Sequence, residues 1–495
     1  MRSKTFIIIL VTLFSLFHCN LWNQDEPDAE VEISVSILDI GPRYVGLMVS
    51  IDQDVSPWDF QLFRDSDLIL SSRVVDSDTT LYDTILDFNS NYGYRAILIV
   101  EGEQVDSTER VSITTLTIDE EISPQIQIPW PSLANSSWPM QHRDPQSTGR
   151  SQYSGPSQGV VESIIHSGIT ESGPSIGYGG SVFIGSYEYP FPFYKIGMDG
   201  TIFWTYNFDC QSTPIIGIDS NIYVGGWDSI KAFSPSGSVL WSTDVYGMET
   251  LGPNIDREGN LYFIDGEHNL ICLNDQGVIS WQYHDSRFLH WYDASPTFSP
   301  DGTMLYIQGI ETSVLAFNIE AQAISWVYGD KTLSSAPVIN NSGNIIFIPG
   351  DHLSPANRKI VSLYPNGTLF WEFEFQNTRL LDNTEPTIDW DGNIYFATDT
   401  LYSLTYRGAL RWKHPIEGRT VSPLICDGNN VVFVGSQDLS NGDCFISAFE
   451  GNGQSRWVLA LGSYAGLGVS PAITEDGKAL WSTWRDPSGN LFIIK

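Results

Sequence analysis

At 495 residues with a formal net charge of −34, the chain is long enough for two or three domains and strongly acidic. That balance excludes charge-driven binding to nucleic acid or anionic lipid, both of which need concentrated Lys and Arg. Abundant glycine and aromatic residues, short apolar runs and the lack of long amphipathic helical patterns predict an all-β protein.

Residues 1–19 open with Arg2 and Lys4, continue in an apolar run from Phe6 to Phe17 and reach Cys19. The run is short for a membrane span and matches a secretory signal. With Leu16 three residues before Cys19, the segment resembles a bacterial lipoprotein signal, although His18 stands where a small residue is usual. The resemblance implies a lipid on Cys19 and a place in the cell envelope, at the outer membrane or cell surface, or else secretion. Cys210, Cys272, Cys426 and Cys444 form no CxxC or vicinal pair. They are expected as buried thiols, with a Cys426–Cys444 bridge as the alternative, and with no metal site.

Residues 20–30 read as an acidic spacer. From 31 to 118 the sequence alternates with period two. In "YGYRAILIV", Tyr92, Tyr94, Ala96, Leu98 and Val100 share one face. Leu86 lies six residues before Tyr92, and this stretch, with "FQLFRD" and "VSITTLT", resembles a fibronectin type III sandwich. That resemblance would make Tyr92 the tyrosine-corner residue. Between Asp25 and Glu121 stand 22 acidic and 5 basic residues, so this part would stand off an anionic surface. Residues 119–137, with Pro124, Pro129 and Pro131, are expected to be a linker.

Repeats occupy 138–495. "STPIIGIDSNIYVGGWDSIKAFSPSGSVLW" at 212–241 returns at 251–281 and at 384–412. Eight repeat prolines (Pro174, Pro214, Pro253, Pro296, Pro337, Pro386, Pro423, Pro471) meet seven tryptophans (Trp204, Trp241, Trp281, Trp326, Trp371, Trp412, Trp457). A period near forty residues with four strands per unit reads as propeller blades. The last unit lacks its outer strand, and "GVVESIIHS" at 159–167, with Ser163 at the Trp position, supplies it. The fold expected is an eight-bladed β-propeller closed by N- and C-terminal strands in one blade, preceded by the sandwich. The tryptophans are expected to be structural, each packing on the neighbouring blade with its indole N–H on a carbonyl.

"WPMQHRDPQSTGRS" precedes the closing strand and contains a His142-Arg143-Asp144 triplet. A kinase reading fails for want of a Gly-rich loop, a strand Lys and an Asp-Phe-Gly. The segment resembles the lead-in of pyrroloquinoline-quinone-type propellers. That family includes quinone-dependent dehydrogenases and an outer-membrane barrel-assembly lipoprotein. Dehydrogenases of the family carry a vicinal disulfide and calcium ligands, neither of which this sequence supplies, so quinone with calcium is the minority expectation. "GPSIG" at 173–177 matches a nucleophile elbow, but Ser175 sits inside a β unit rather than at a strand-to-helix turn. No catalytic residue is assigned.

Loop lengths vary at one end only. The second-to-third-strand insertions "GSYEYPFPFYK", "IPGDHLSPANRKI" and "GSQDLSNGDCF" and the inter-unit connections "HDSRFLHWYDAS", "EFQNTRLLDNT" and "LALGSYAGLGV" are long. The Gly turns at the opposite end are tight. A binding face is expected there, carrying Tyr187, Tyr189, Phe191, Phe193, Arg287, His290, Trp291, His352, Arg358 and Arg379. The function expected is non-catalytic binding of a protein or glycan by a lipid-anchored envelope protein, or alternatively a scaffold for envelope protein assembly, with no nucleic-acid partner.

Overall fold

The computed structural model of the protein describes residues 32–40, 44–51, 58–74, 78–84, 86, 90–100, 103–114, 122–166, 172–186, 189, 192–210, 212–246, 252–289, 295–330, 336–349, 358–375, 385–463, 466–483 and 489–495. The lipoprotein-type segment, Cys19 and the acidic spacer lie outside the described residues. The chain divides into two compact units, Met1–Glu120 and Glu121–Lys495. No described helix is long and apolar enough to cross a membrane. Structure is almost wholly β, as the composition predicts.

The first unit holds two antiparallel sheets. One is Ile33–Ile40, Tyr44–Ile51 and Asp78–Thr84 in that order. The other runs Asp67–Val74, Trp58–Arg64, Asn91–Val100, Glu103–Ser107, with Val111–Thr114 also paired to Asn91–Val100. Val45, Leu47 and Val49 of the first sheet share one core with Phe60, Leu62, Ala96 and Leu98 of the second. Alternation explains this packing, since residues two apart point to one side of a strand. The buried hydroxyl of Asn91–Val100 belongs to Tyr94. It donates to Asp83 at 2.7 Å, and Arg64 holds the same carboxylate at 3.0 Å. Burial beside that carboxylate raises the Tyr94 pKa, so the phenol stays protonated. Tyr92 is half-buried at the edge of the same core.

Among its described residues the second unit carries eight antiparallel sheets. The first consists of Ser175–Ile176, Val182–Gly185, Pro192–Ile196 and Ile202–Asn207. Five more follow the same up-and-down order within 215–244, 254–284, 297–328, 338–375 and 387–415. The seventh adds the strand Arg419–Thr420. In the eighth, Ala472–Ile473, Ala479–Ser482 and Asn490–Ile494 are completed by Val161–His166. The second strand is buried on both sides in sheet after sheet, as in Leu261–Ile264, while the outer strand Ile279–His284 alternates with solvent. The apolar runs and the alternating runs of the sequence therefore correspond to inner and outer strands.

The sheets are keyed to one another by tryptophan. The indole N–H of Trp204 donates to the Pro235 carbonyl in the next sheet (3.1 Å), and Trp241 donates likewise to Asp275 (2.8 Å). Trp326, Trp371, Trp412 and Trp457 donate to Pro365, Tyr406, Gly451 and Pro156 at 2.8–3.1 Å. Trp281 stacks on Phe317 of the following sheet. In most of these pairs a turn glycine lies flat on the indole. Gly408, with φ of 81°, would bring a Cβ to 2.5 Å from Trp371. Gly408→Ala is therefore expected to lose about 2–4 kcal/mol, from left-handed strain and overpacking together, as read by urea unfolding.

The junction between the eighth and first sheets differs. Ser163 pairs with Ile493 in the register that other sheets give to tryptophan. A Cβ on Gly200 of the first sheet would meet Ile165 at 3.8 Å instead of an indole.

Candidate functional site

Fourteen residues, 138–151, meet the first strands of seven sheets in chain order. The carbonyls of Trp138 and Pro139 accept from the N–H groups of Ile176 and Ile216, at 2.7 and 2.8 Å. The Pro145 carbonyl accepts from the Asn254 amide (3.0 Å) and from Phe298 N–H (2.9 Å). Gln146 accepts from Ile339 (3.0 Å), Thr148 from the Thr387 hydroxyl (2.7 Å) and Gly149 from Cys426 (2.8 Å). So short a segment reaches seven first strands only if those strands converge around it. The segment is the axis of the second unit.

The residues expected to form a linker approach the same strands. Ser123 and Gln125 donate to Asp391 and Trp390, Trp130 donates to the Ile255 carbonyl, and Ala134 to Ile216. From Ser123 onward this stretch is laid over the turns that join first and second strands. Its prolines suit extended backbone that has no sheet partner of its own.

The axial segment is dense in buried polar groups. His142 contacts Glu385 through Nε2 and Oε2, both side chains being buried, and Glu385 also accepts from Ala336 N–H at 3.0 Å. Asp144 accepts from Thr148 through its N–H (3.0 Å) and its hydroxyl. Arg150 lies over Trp390 (4.4 Å) and donates to the carbonyls of Asp389 and Ile126. Burial lowers the Arg150 pKa to about 10, and lowers that of Arg143. His142 and Arg143 both take positive φ, 52° and 73°. Two such residues in succession cost about 1–2 kcal/mol each, a strain that the surrounding hydrogen bonds hold in place.

The described second-to-third-strand turns and inter-sheet connections bond to each other, so they share one end of the unit. Gly266 N–H donates to the Tyr246 carbonyl (2.7 Å), Ile310 to Arg287 (2.7 Å) and Thr420 to Thr398 (2.7 Å). Of the residues expected on this face, Tyr189 is 84% exposed. Arg287 is exposed and paired with Asp285 at 2.7 Å. Two expectations are corrected. Phe193 is fully buried between Trp204 and Phe233, with centroids at 5.5 and 5.4 Å, because it belongs to the strand Pro192–Ile196 and its parity turns it inward. Arg358 opens the strand Arg358–Leu363 and is buried. Tyr187, Phe191, His290, Trp291, His352 and Arg379 lie outside the described residues. The sequence analysis weighed Arg143 only to set aside a kinase reading, and it gave no role to Arg150 or Glu385. The signal available was a cluster of charges between prolines in a stretch read as a mere lead-in.

Comparison with known proteins places this architecture. A family profile described as "Outer membrane protein assembly factor BamB" matches residues 227–397. The fold resembles a quinohemoprotein alcohol dehydrogenase from Comamonas testosteroni, with 12% identity over 73% of this chain and 81% of that one (TM-score 0.55). It also resembles BamB from Moraxella catarrhalis, at 13% identity over 68% and 97% (TM-score 0.50). The Saccharomyces cerevisiae protein Sqt1 superposes at 10% identity over 69% and 99% (TM-score 0.52). Compared with curated proteins, the chain finds no match. The second unit has a propeller fold, and within it residues 227–397 match a repeat of the quinone-protein type.

A quinone would need room at the described axis. Residues 138–151 fill that space with buried Trp138, Met140, His142, Arg143 and Arg150. One described cavity beside them is about 10 Å³, near the ~10–15 Å³ that a single water requires. A fused three-ring quinone does not fit that cavity.

Proposed function

We propose that this protein is a non-catalytic, protein-binding component of the cell envelope that serves as a scaffold in envelope protein assembly. The observation that carries this reading is the match of 227–397 to an assembly-factor family, on a unit whose centre is filled by its own backbone. With the axis occupied, the surface left for recognition is the loop end, where Tyr189 and Arg287 are exposed. Rigid sheets carrying loops of varied length suit recognition of a macromolecule. We read the eight sheets as eight blades, sealed where Val161–His166 joins Asn490–Ile494. We read the first unit as a fibronectin type III-like sandwich that spaces the propeller from a lipid on Cys19. The two packed sheets and their shared core support the sandwich reading.

A photo-crosslinking amino acid placed at Tyr189 or Arg287 is expected to capture one defined envelope protein from intact cells. Placed at Ile218, exposed on a tight turn of the other end, it is expected to capture none. Equal capture from both ends, or none from either, overturns the reading. Binding of the purified protein to a glycan array, with no protein captured, replaces the protein partner by a glycan.

A further inference from the structure

Five junctions between successive sheets of the second unit are built to one plan. The indole N–H donates to the carbonyl two residues before a turn glycine of the next sheet, as Trp204 does to Pro235 before Gly237 and Trp371 to Tyr406 before Gly408. A Cβ on any of those glycines would stand 2.5–2.7 Å from the indole.

The junction from the eighth sheet to the first keeps the receiving half of this plan. Gly200 has a φ of 82°, against 81° at Gly408. The carbonyl two residues before it belongs to Met198, and no donor among the described residues reaches it. The donating half is missing from the sequence. Ser163 pairs with Ile493 as Trp281 pairs with Cys272, each beside a shift in register. Ile165 does not stand in for the indole. It lies two residues beyond Ser163, as Thr243 lies two beyond Trp241, and a Cβ on Gly277 would meet Thr243 at 3.0 Å as well as the indole. From a Cβ on Gly200 the nearest described atoms are those of Ile165, at 3.8 and 3.9 Å. The place opens to solvent, because Trp204, Trp241 and Trp281 are only half-buried where they fill its equivalents. Large apolar side chains are exposed on either side of the junction, Val160 and Ile164 on one and Ile202 and Phe203 on the other.

We infer that this junction is a docking site for a tryptophan side chain of a partner protein. The incoming indole seats over Gly200, donates its N–H to the Met198 carbonyl and packs on Ile165 and Met198, which belong to one apolar cluster. The other junctions show which side chain this pairing of glycine and carbonyl accepts. Tryptophan is also a favoured interface anchor, with a broad apolar body and one donor. A second copy of this chain, itself at −34, is opposed by like charge, so the indole is assigned to a different protein. The surface lies on outer strands, apart from the loop end, and either reading can fail alone.

The test uses the full-length protein and a fluorine-labelled N-acetyl-tryptophan amide followed by fluorine NMR. One saturable site is expected, weakened about tenfold in Ser163→Trp, where the chain's own indole takes the place. The phenylalanine amide, which has no ring N–H to give, is expected to bind about 5-fold more weakly. Ser163→Trp is also expected to raise the melting temperature of the second unit by ~2–4 °C. No saturable binding, binding unchanged in Ser163→Trp, equal affinity for the two amides, or a Ser163→Trp variant that melts no higher or does not fold each overturns the inference. Tighter probe binding in Trp22→Ala, or on dilution of the protein, would give the place to the chain's own residue 22 or to a second copy and overturn the partner.

Discussion

A chain that stops at Gly489 is expected to lose the cooperative unfolding transition of its second unit. The missing strand, Asn490–Ile494, is buried along its whole length. It is hydrogen-bonded to Ala479–Ser482 on one side and to Val161–His166 on the other. Its removal deletes Leu491, Phe492, Ile493 and Ile494, each at most 1% exposed. At about 1.5–3 kcal/mol for each buried side chain, the loss is about 6–12 kcal/mol, against a typical total stability of about 5–15 kcal/mol. Two sheet edges would also be left without partners and prone to aggregation. Calorimetry of the truncated chain is expected to show a transition from the first unit alone. A full-size second transition would show that the terminal pairing does not hold the unit together.

The second large effect is expected at Trp371, whose indole is buried and donates to the Tyr406 carbonyl at 2.8 Å. Trp371→Ala removes that bond and leaves a void against the Gly408 turn. The expected loss is about 3–5 kcal/mol. Trp371→Phe keeps most of the packing and forfeits the hydrogen bond, so it is expected to cost less, about 1–3 kcal/mol. Trp204 is half-buried with a longer bond of 3.1 Å, so Trp204→Ala is expected to cost less than Trp371→Ala. Urea denaturation of the three variants measures the order. Equal losses at Trp204 and Trp371 would mean that indole burial does not set the strength of the sheet-to-sheet contact.

Seven of the repeated sheets were legible because each is carried by about thirty contiguous residues with its own proline, glycine turn and tryptophan. The partner of Asn490–Ile494 was legible from a mismatch, eight prolines against seven tryptophans, and the two segments do pair. The path of 122–156 was not legible. Its hydrogen bonds go one at a time to the backbones of different sheets, so they impose no period on the sequence. Phe193 misled for a related reason. In "YEYPFPFYK" aromatics crowd both parities, and only the pairing of Phe193 with Gly185 and Tyr206 shows which way the strand faces. The setting of Arg150 depends on residues from Ile126 to Asn341, a separation that no local pattern encodes.

Because the strand Val161–His166 finds its partner roughly 330 positions later, the protein is made in an order at odds with its assembly. Ribosomes adding about 5–20 residues per second need roughly 15–65 s to reach the partner after the early strand has emerged. The axial stretch waits for the strand at Cys426, the last of the seven it bonds to. Throughout that interval the nascent polypeptide carries an unclaimed strand and a run of charges that solvent, or a holding chaperone, has to accommodate. Such distant pairing makes for slow folding, so the last sheet of the second unit is completed only after synthesis has ended.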